Sequence, residues 1–180
     1  MTDGRMKEQV LGEEKTNLQA EGLKMKGIVV YDTSYGNTKK IAETIAETLK
    51  DSGVEADLSD AKHVKKLSGK DYGLLVLGSP TRFGTMSFAI RSFLGKVKSD
   101  EWVSKPFVAF DTENPENIEK KGGSAGEKIA AKLIDKKMNR LLPVLKAAVV
   151  GQKGPLKEGE IERTKEYARE LATKLKEDTV

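Results

Sequence analysis

Residues 27–49 read GIVVYDTSYGNTKKIAETIAETL. The opening GIVVYD is a continuous apolar, β-branched run, the pattern of a strand covered on both faces. Further on, Ile41, Ala42, Ile45, Ala46 and Leu49 fall on one helical stripe. Between the two lies a turn, Tyr31 to Thr38, that packs Thr33, Ser34, Tyr35 and Thr38 around Gly36 and Asn37. A strand, a short polar turn and an amphipathic helix make the first unit of an α/β fold.

The same unit recurs along the chain. Asp51-Ser52-Gly53 ends the first helix, and VEADL reads as a short, more polar strand. YGLLVLG and PFVAF are further buried strands, and AAVV is the last. Met86, Ala89, Ile90, Phe93, Leu94 and Val97 mark one intervening helix; Ile129, Ala130, Leu133 and Ile134 mark another. A terminal helix carries Ile161, Thr164, Ala168, Leu171, Ala172 and Leu175. Alternation of this kind predicts a three-layer, doubly wound sandwich: a five-stranded parallel sheet with helices on both faces. Such sheets take ligands outside the carboxyl ends of their strands, where strand order reverses, and the first strand lies at that reversal. Residues 1–24 carry only isolated Val10, Leu11, Leu18 and Leu23, too few for a core face. They read as a tail or short peripheral helix, with the domain over 25–178.

Composition narrows the chemistry. The 180 residues are 37% hydrophobic, enough for one sizeable core. There is no cysteine, which excludes disulfides, thiolate metal sites and Cys nucleophiles. No apolar run is long enough to span a membrane, and the N-terminus lacks a signal-peptide pattern. A cytoplasmic protein is expected. The formal charge of +4 favours anionic partners only weakly. No basic stripe with a readout element points to nucleic acid. The single histidine, His63, follows the second strand with no visible partner and reads as a surface residue. Trp102 precedes a strand, and so belongs at the end of the sheet away from the ligand. No catalytic side chain and no metal ligand is expected.

The first turn suits a phosphate monoester. Thr33, Ser34, Tyr35 and Thr38 offer hydroxyls, Asn37 an amide, and Gly36 a close backbone approach. The helix that follows presents its free N–H groups. The alternative is ordinary N-capping, for which one hydroxyl suffices. Neither G-x-G-x-x-G nor G-x-x-x-x-G-K-[ST] stands at this turn. A second loop, Ser79 to Thr85, follows the third strand. Pro80 stiffens it, Thr81 offers a hydroxyl, Arg82 a fixed charge, Phe83 an apolar face and Gly84 either sign of φ. That set suits a planar, amphipathic heterocycle. The alternative makes Phe83 a core residue and Arg82 a surface charge.

These two stretches carry a family resemblance. VYDTSYGNT resembles the flavodoxin phosphate loop, S/T-x-T-G-x-T: Thr33, Ser34, Gly36, Asn37 and Thr38 fall on the motif, with Tyr35 where Thr is common. GSPTRFGTMSFAIRSFL is similar to the flavin-contacting loop of the flavodoxin-like NAD(P)H:quinone oxidoreductases, G-x-P-T-R-F-G-x-M-S. The resemblance runs from Met25 to the C-terminus. It implies strand order 2-1-3-4-5, FMN as cofactor, and a Gly84 peptide that reorients toward N5 of the reduced flavin. It also implies a third contacting loop beginning Asp111, Thr112, Glu113, Asn114 and running through Gly122, Gly123 and Gly126. That loop departs from the family pattern in having no Tyr. The implied function is electron transfer with redox partner proteins. The alternatives are an FMN-dependent NAD(P)H:quinone oxidoreductase, with a quinone as partner, and a flavin-free interaction module.

Overall fold

The computed structural model describes residues 25–118 and 123–178. The expected tail and Gly122 lie outside them. The elements run β1 (Gly27–Tyr31), α1 (Asn37–Asp51), β2 (Ala56–Asp60), β3 (Leu74–Pro80), α2 (Phe88–Leu94), α3 (Ser99–Trp102), β4 (Pro106–Glu113), α4 (Pro115–Ile118), α5 (Ala125–Asp135), β5 (Asn139–Arg140), β6 (Leu145–Ala148) and α6 (Glu160–Glu177). All strand pairings are parallel, in the order β2-β1-β3-β4-β5, with β6 also on β4. This is the doubly wound order 2-1-3-4-5.

Alternation along the strands divides the core into two leaves. Ile28, Val30, Leu75, Leu77, Phe107 and Ala109 face one side, with Ile90 and Phe93 of α2 and Ile129 and Leu133 of α5. Val29, Tyr31, Leu74, Val76, Val108 and Phe110 face the other, with Ile41, Ile45 and Leu49 of α1 and Leu171 and Leu175 of α6. The helical stripes read from the sequence are largely the faces that meet the sheet; Ile134 is the exception, exposed on α5, and Met86 and Val97 are buried just outside the shorter α2. Trp102 is completely buried in the first leaf, a packing residue. Gly78 is required where it stands, because a Cβ there would lie 2.0 Å from the Phe110 ring.

The fifth strand differs from expectation. Its place beside β4 is filled by two segments, β5 against Pro106–Phe107 and β6 against Phe110–Glu113. Pro143 lies between them, and a proline cannot donate to a ladder. The second segment also begins two residues earlier than AAVV. Among the described residues, no helix is long and apolar enough to cross a membrane.

Candidate functional site

The carboxyl ends of β1, β3, β4 and β6 surround a cleft of about 640 Å³. That volume lies in the range that takes a drug-sized ligand. Among the described residues, every cofactor-binding residue expected from the sequence lines it except Gly36, Ser79 and Asp111, and in the glycine-rich stretch Gly123 lines it while Gly126 does not. Ser79 is buried below, where its hydroxyl accepts the Ser87 N–H at 2.9 Å and fixes the start of the following helix. Gly36 stands at the head of α1 with φ +87°. Asp111 is buried behind the cleft floor, accepting the Gly126 N–H at 2.8 Å.

One end of the cleft is built by the first turn. Thr33 Oγ1 accepts the Gly36 N–H at 2.9 Å, so that hydroxyl keeps its own proton. No side chain caps α1, and its first turn holds no acidic residue. The capping alternative therefore fails here. It succeeds at α2 and α5, where Ser87 accepts from Ile90 and Ser124 from Glu127. An uncapped helix start turns several N–H dipoles toward one spot. Two of the expected donors are also tied within the fold. Thr38 Oγ1 and Thr112 Oγ1 share a buried hydrogen bond of 2.7 Å, which ties the head of α1 to the end of β4. The Asn37 amide donates to the Lys153 carbonyl at 2.9 Å and fastens the loop after β6.

The rim is aromatic and cationic. Arg82 and Thr85 exchange both backbone hydrogen bonds at 3.0 Å, closing a two-residue turn over Phe83 and Gly84. Both central residues are left-handed, Phe83 at φ +50° and Gly84 at φ +68°, as a type I′ turn requires. Phe83 is therefore a fully exposed tip, so the core-residue alternative fails. Tyr35 is half-exposed opposite, with the Arg82 guanidinium 5.5 Å and the Lys153 ammonium 5.9 Å from its ring centre. Gly84 thus stands in a backbone conformation that favours glycine.

The floor is acidic. Glu113 ends β4, only 3% exposed, and its Oε1 has no hydrogen-bond partner. Burial pushes its carboxyl up to about 7; Asp111 adds to this, and Lys146 opposes it. Burial also holds the Asp111 carboxyl above the usual range. The sequence reads Glu113 as a loop residue, whereas the structure pairs it with Ala148 in the sheet.

Four lining residues were not assigned from the sequence: Gly123, Val149, Gly151 and Gln152. Gly123 sits in the glycine-rich stretch already singled out. The others follow β6, and the rule that placed the first three loops points to this one too. VVGQKG carries no recognisable motif, so nothing else marked it.

The model of the family described as flavodoxin domain matches residues 28–152. The chain is 42% identical over 82 residues to a flavodoxin of Aquifex aeolicus, covering 43% of this chain and 42% of that protein. It is 29% identical over 72 residues to the protoporphyrinogen IX dehydrogenase (quinone) of Escherichia coli, 40% of each. The matches thus span about two fifths of these curated relatives. Among solved structures, a flavodoxin from the domain Archaea superposes with a TM-score of 0.69 at 23% identity, over 84% of this chain and 99% of that one. Oxidised flavodoxin 1 from Bacillus cereus does so with a TM-score of 0.69 at 19% identity, over 82% and 97%. At these identities the superpositions bear on the fold alone.

Proposed function

This chain belongs to the flavodoxin family, and from that premise we propose that it binds FMN in the cleft and carries electrons between redox partner proteins. The observation that carries the reading is the uncapped head of α1, opening between hydroxyls into a cleft with an aromatic rim. The parts fit the parts of the cofactor. The N–H groups of α1, with Thr33 and Ser34, would hold the phosphate without a Lys or Arg in the turn. Tyr35 and Phe83 would offer apolar faces to a planar ring, and the backbone of Arg82 to Gly84 and of Thr112 to Asn114, which also lines the cleft, would supply polar groups to it. Bound FMN supplies the redox chemistry. The chain's own residues orient it, set the polarity around it and limit its contact with water.

The test is a fluorescence-quenching titration of the purified chain with FMN and with riboflavin. Saturable binding of FMN, tighter than that of riboflavin, is expected. Unchanged fluorescence across the titration would favour the flavin-free module and sink this reading. A second reading, an NAD(P)H:quinone oxidoreductase, is favoured by the GSPTRFGTMS loop and by the Escherichia coli relative. Steady-state turnover of NAD(P)H with a quinone, present or absent, separates the two.

A further inference from the structure

This inference rests on FMN occupying the cleft. The cleft floor holds a carboxyl group that the fold buries and leaves partly unpaired. Glu113 lines the cleft, is 3% exposed, and has no hydrogen-bond partner at Oε1. Its charged surroundings come from every neighbouring element. Asp111, two residues earlier on the same face of β4, is fully buried and raises the cost of ionising a second carboxyl. Lys146 of β6 works the other way, but its ammonium is 3.6 Å from Glu127 of α5, which shares its charge. Arg82 and Lys153, on the far side, lie against Tyr35.

A buried carboxylate with too few donors escapes its desolvation cost by taking a proton. Here that places the free protein near half-ionised at pH about 7. The two forms of the side chain offer a ligand opposite things. The acid has an O–H to donate; the carboxylate only accepts. An FMN ring edge carries acceptors (two carbonyl oxygens, N1 and N5) and a single donor, N3–H, and its phosphate brings further negative charge. Toward the acceptors only the acid form is complementary, and it is the form that burial favours.

We infer that Glu113 is protonated in the FMN-bound protein and donates its O–H to an acceptor on the flavin ring, so that binding is coupled to proton uptake by this one side chain. Covering the cleft removes more water from the carboxyl and reinforces the same protonation state. The linkage has a definite sign. Below pH about 7 the free protein is already protonated, and affinity is flat. Above it a proton must be gained on binding, and affinity falls by about tenfold per pH unit. The second ionisation of the FMN phosphate, near pH 6, lies below this window and does not mimic it.

The experiment titrates FMN into the full chain and into Glu113→Gln at steps from pH about 7 to about 9. Calorimetry at pH about 8, in two buffers of different ionisation enthalpy, counts protons directly. For the wild type, Kd should rise between about ten- and a hundredfold across the window, with close to one proton taken up. The Glu113→Gln side chain, a neutral donor of the same shape, should bind with one Kd throughout and take up none. A wild-type Kd that stays flat with no proton uptake overturns the inference, as does a variant that follows the wild-type curve. If the variant does not fold, the wild-type proton count decides alone. Binding with no pH dependence leaves the FMN reading standing; no binding at any pH overturns that reading, and this one with it.

Discussion

Phe83 is held where its side chain should not be. At φ +50° a residue with a Cβ is penalised by roughly 1–2 kcal/mol, and a bulky one more than Asn. Its ring is fully exposed, so nothing in the fold offsets that cost by burial. Phe83→Asn should therefore stabilise the ligand-free protein by about 1 kcal/mol, which for a domain of this size raises Tm by about 2–4 °C. Gly is a less clean choice, since the freedom it adds to the unfolded chain takes back part of the gain. FMN binding should move the other way. A Phe side chain fully covered by a ligand contributes about 1.5–3 kcal/mol, so its loss should weaken binding by about ten- to a hundredfold. Thermal melts of the ligand-free proteins and FMN titrations, with Phe83→Leu as control, check both. The control keeps the strain and should melt with the wild type. A Phe83→Asn protein that melts at or below the wild type would refute the strain. One that melts higher and binds FMN equally well would remove the tip from the site.

Thr33→Val and Ser34→Ala should each cost FMN about 1–3 kcal/mol of binding while leaving riboflavin nearly unaffected, as paired titrations would show. Gly84→Ala should destabilise the protein by roughly 1–2 kcal/mol, because Gly84 is left-handed in the fold; an unchanged melt would contradict this. Glu113→Gln should stabilise the ligand-free protein at alkaline pH. The folded carboxyl, near 7, lies above its usual 4.5, so wild-type stability falls as pH rises between those values and stays lost above them. The advantage of the variant should be about 1–3 kcal/mol at pH about 8 and vanish toward pH about 4, where both are neutral; a constant difference would assign it to packing. A chain starting at Met25 should melt with the full chain, and a large drop in Tm would show that residues 1–24 dock.

The inner strands β1, β3 and β4 were legible because they are short runs of apolar residues, and runs of that kind need no knowledge of their neighbours. The first turn was legible for a similar reason: its hydroxyls are contiguous, and its place after the first buried strand is fixed by the alternation. What escaped depends on pairs far apart in sequence. Thr38 reaches Thr112, and Asn37 reaches Lys153; these bonds make two expected ligand donors into struts as well. The break at Pro143 was hidden because Leu141, Leu142, Val144 and Leu145 read as a continuous apolar stretch around it. Glu113 looked like a loop residue because a charged side chain normally marks the end of a strand, and only the packed structure shows it closed over.

The bare head of α1 has a consequence beyond recognition. A helix lacking a cap frays at its first turn, and amide hydrogens from Asn37 to Lys39 should exchange early in the ligand-free chain. A bound phosphate would complete the helix as a capping side chain does elsewhere. Ligand at a hundred times its Kd adds about 2.7 kcal/mol to the folded state. A change of that size alters how often the chain opens to proteases, and with it its abundance in the cell. Flavin supply would then act on this protein twice: once as the means of its chemistry, and once as the term that sets its lifetime.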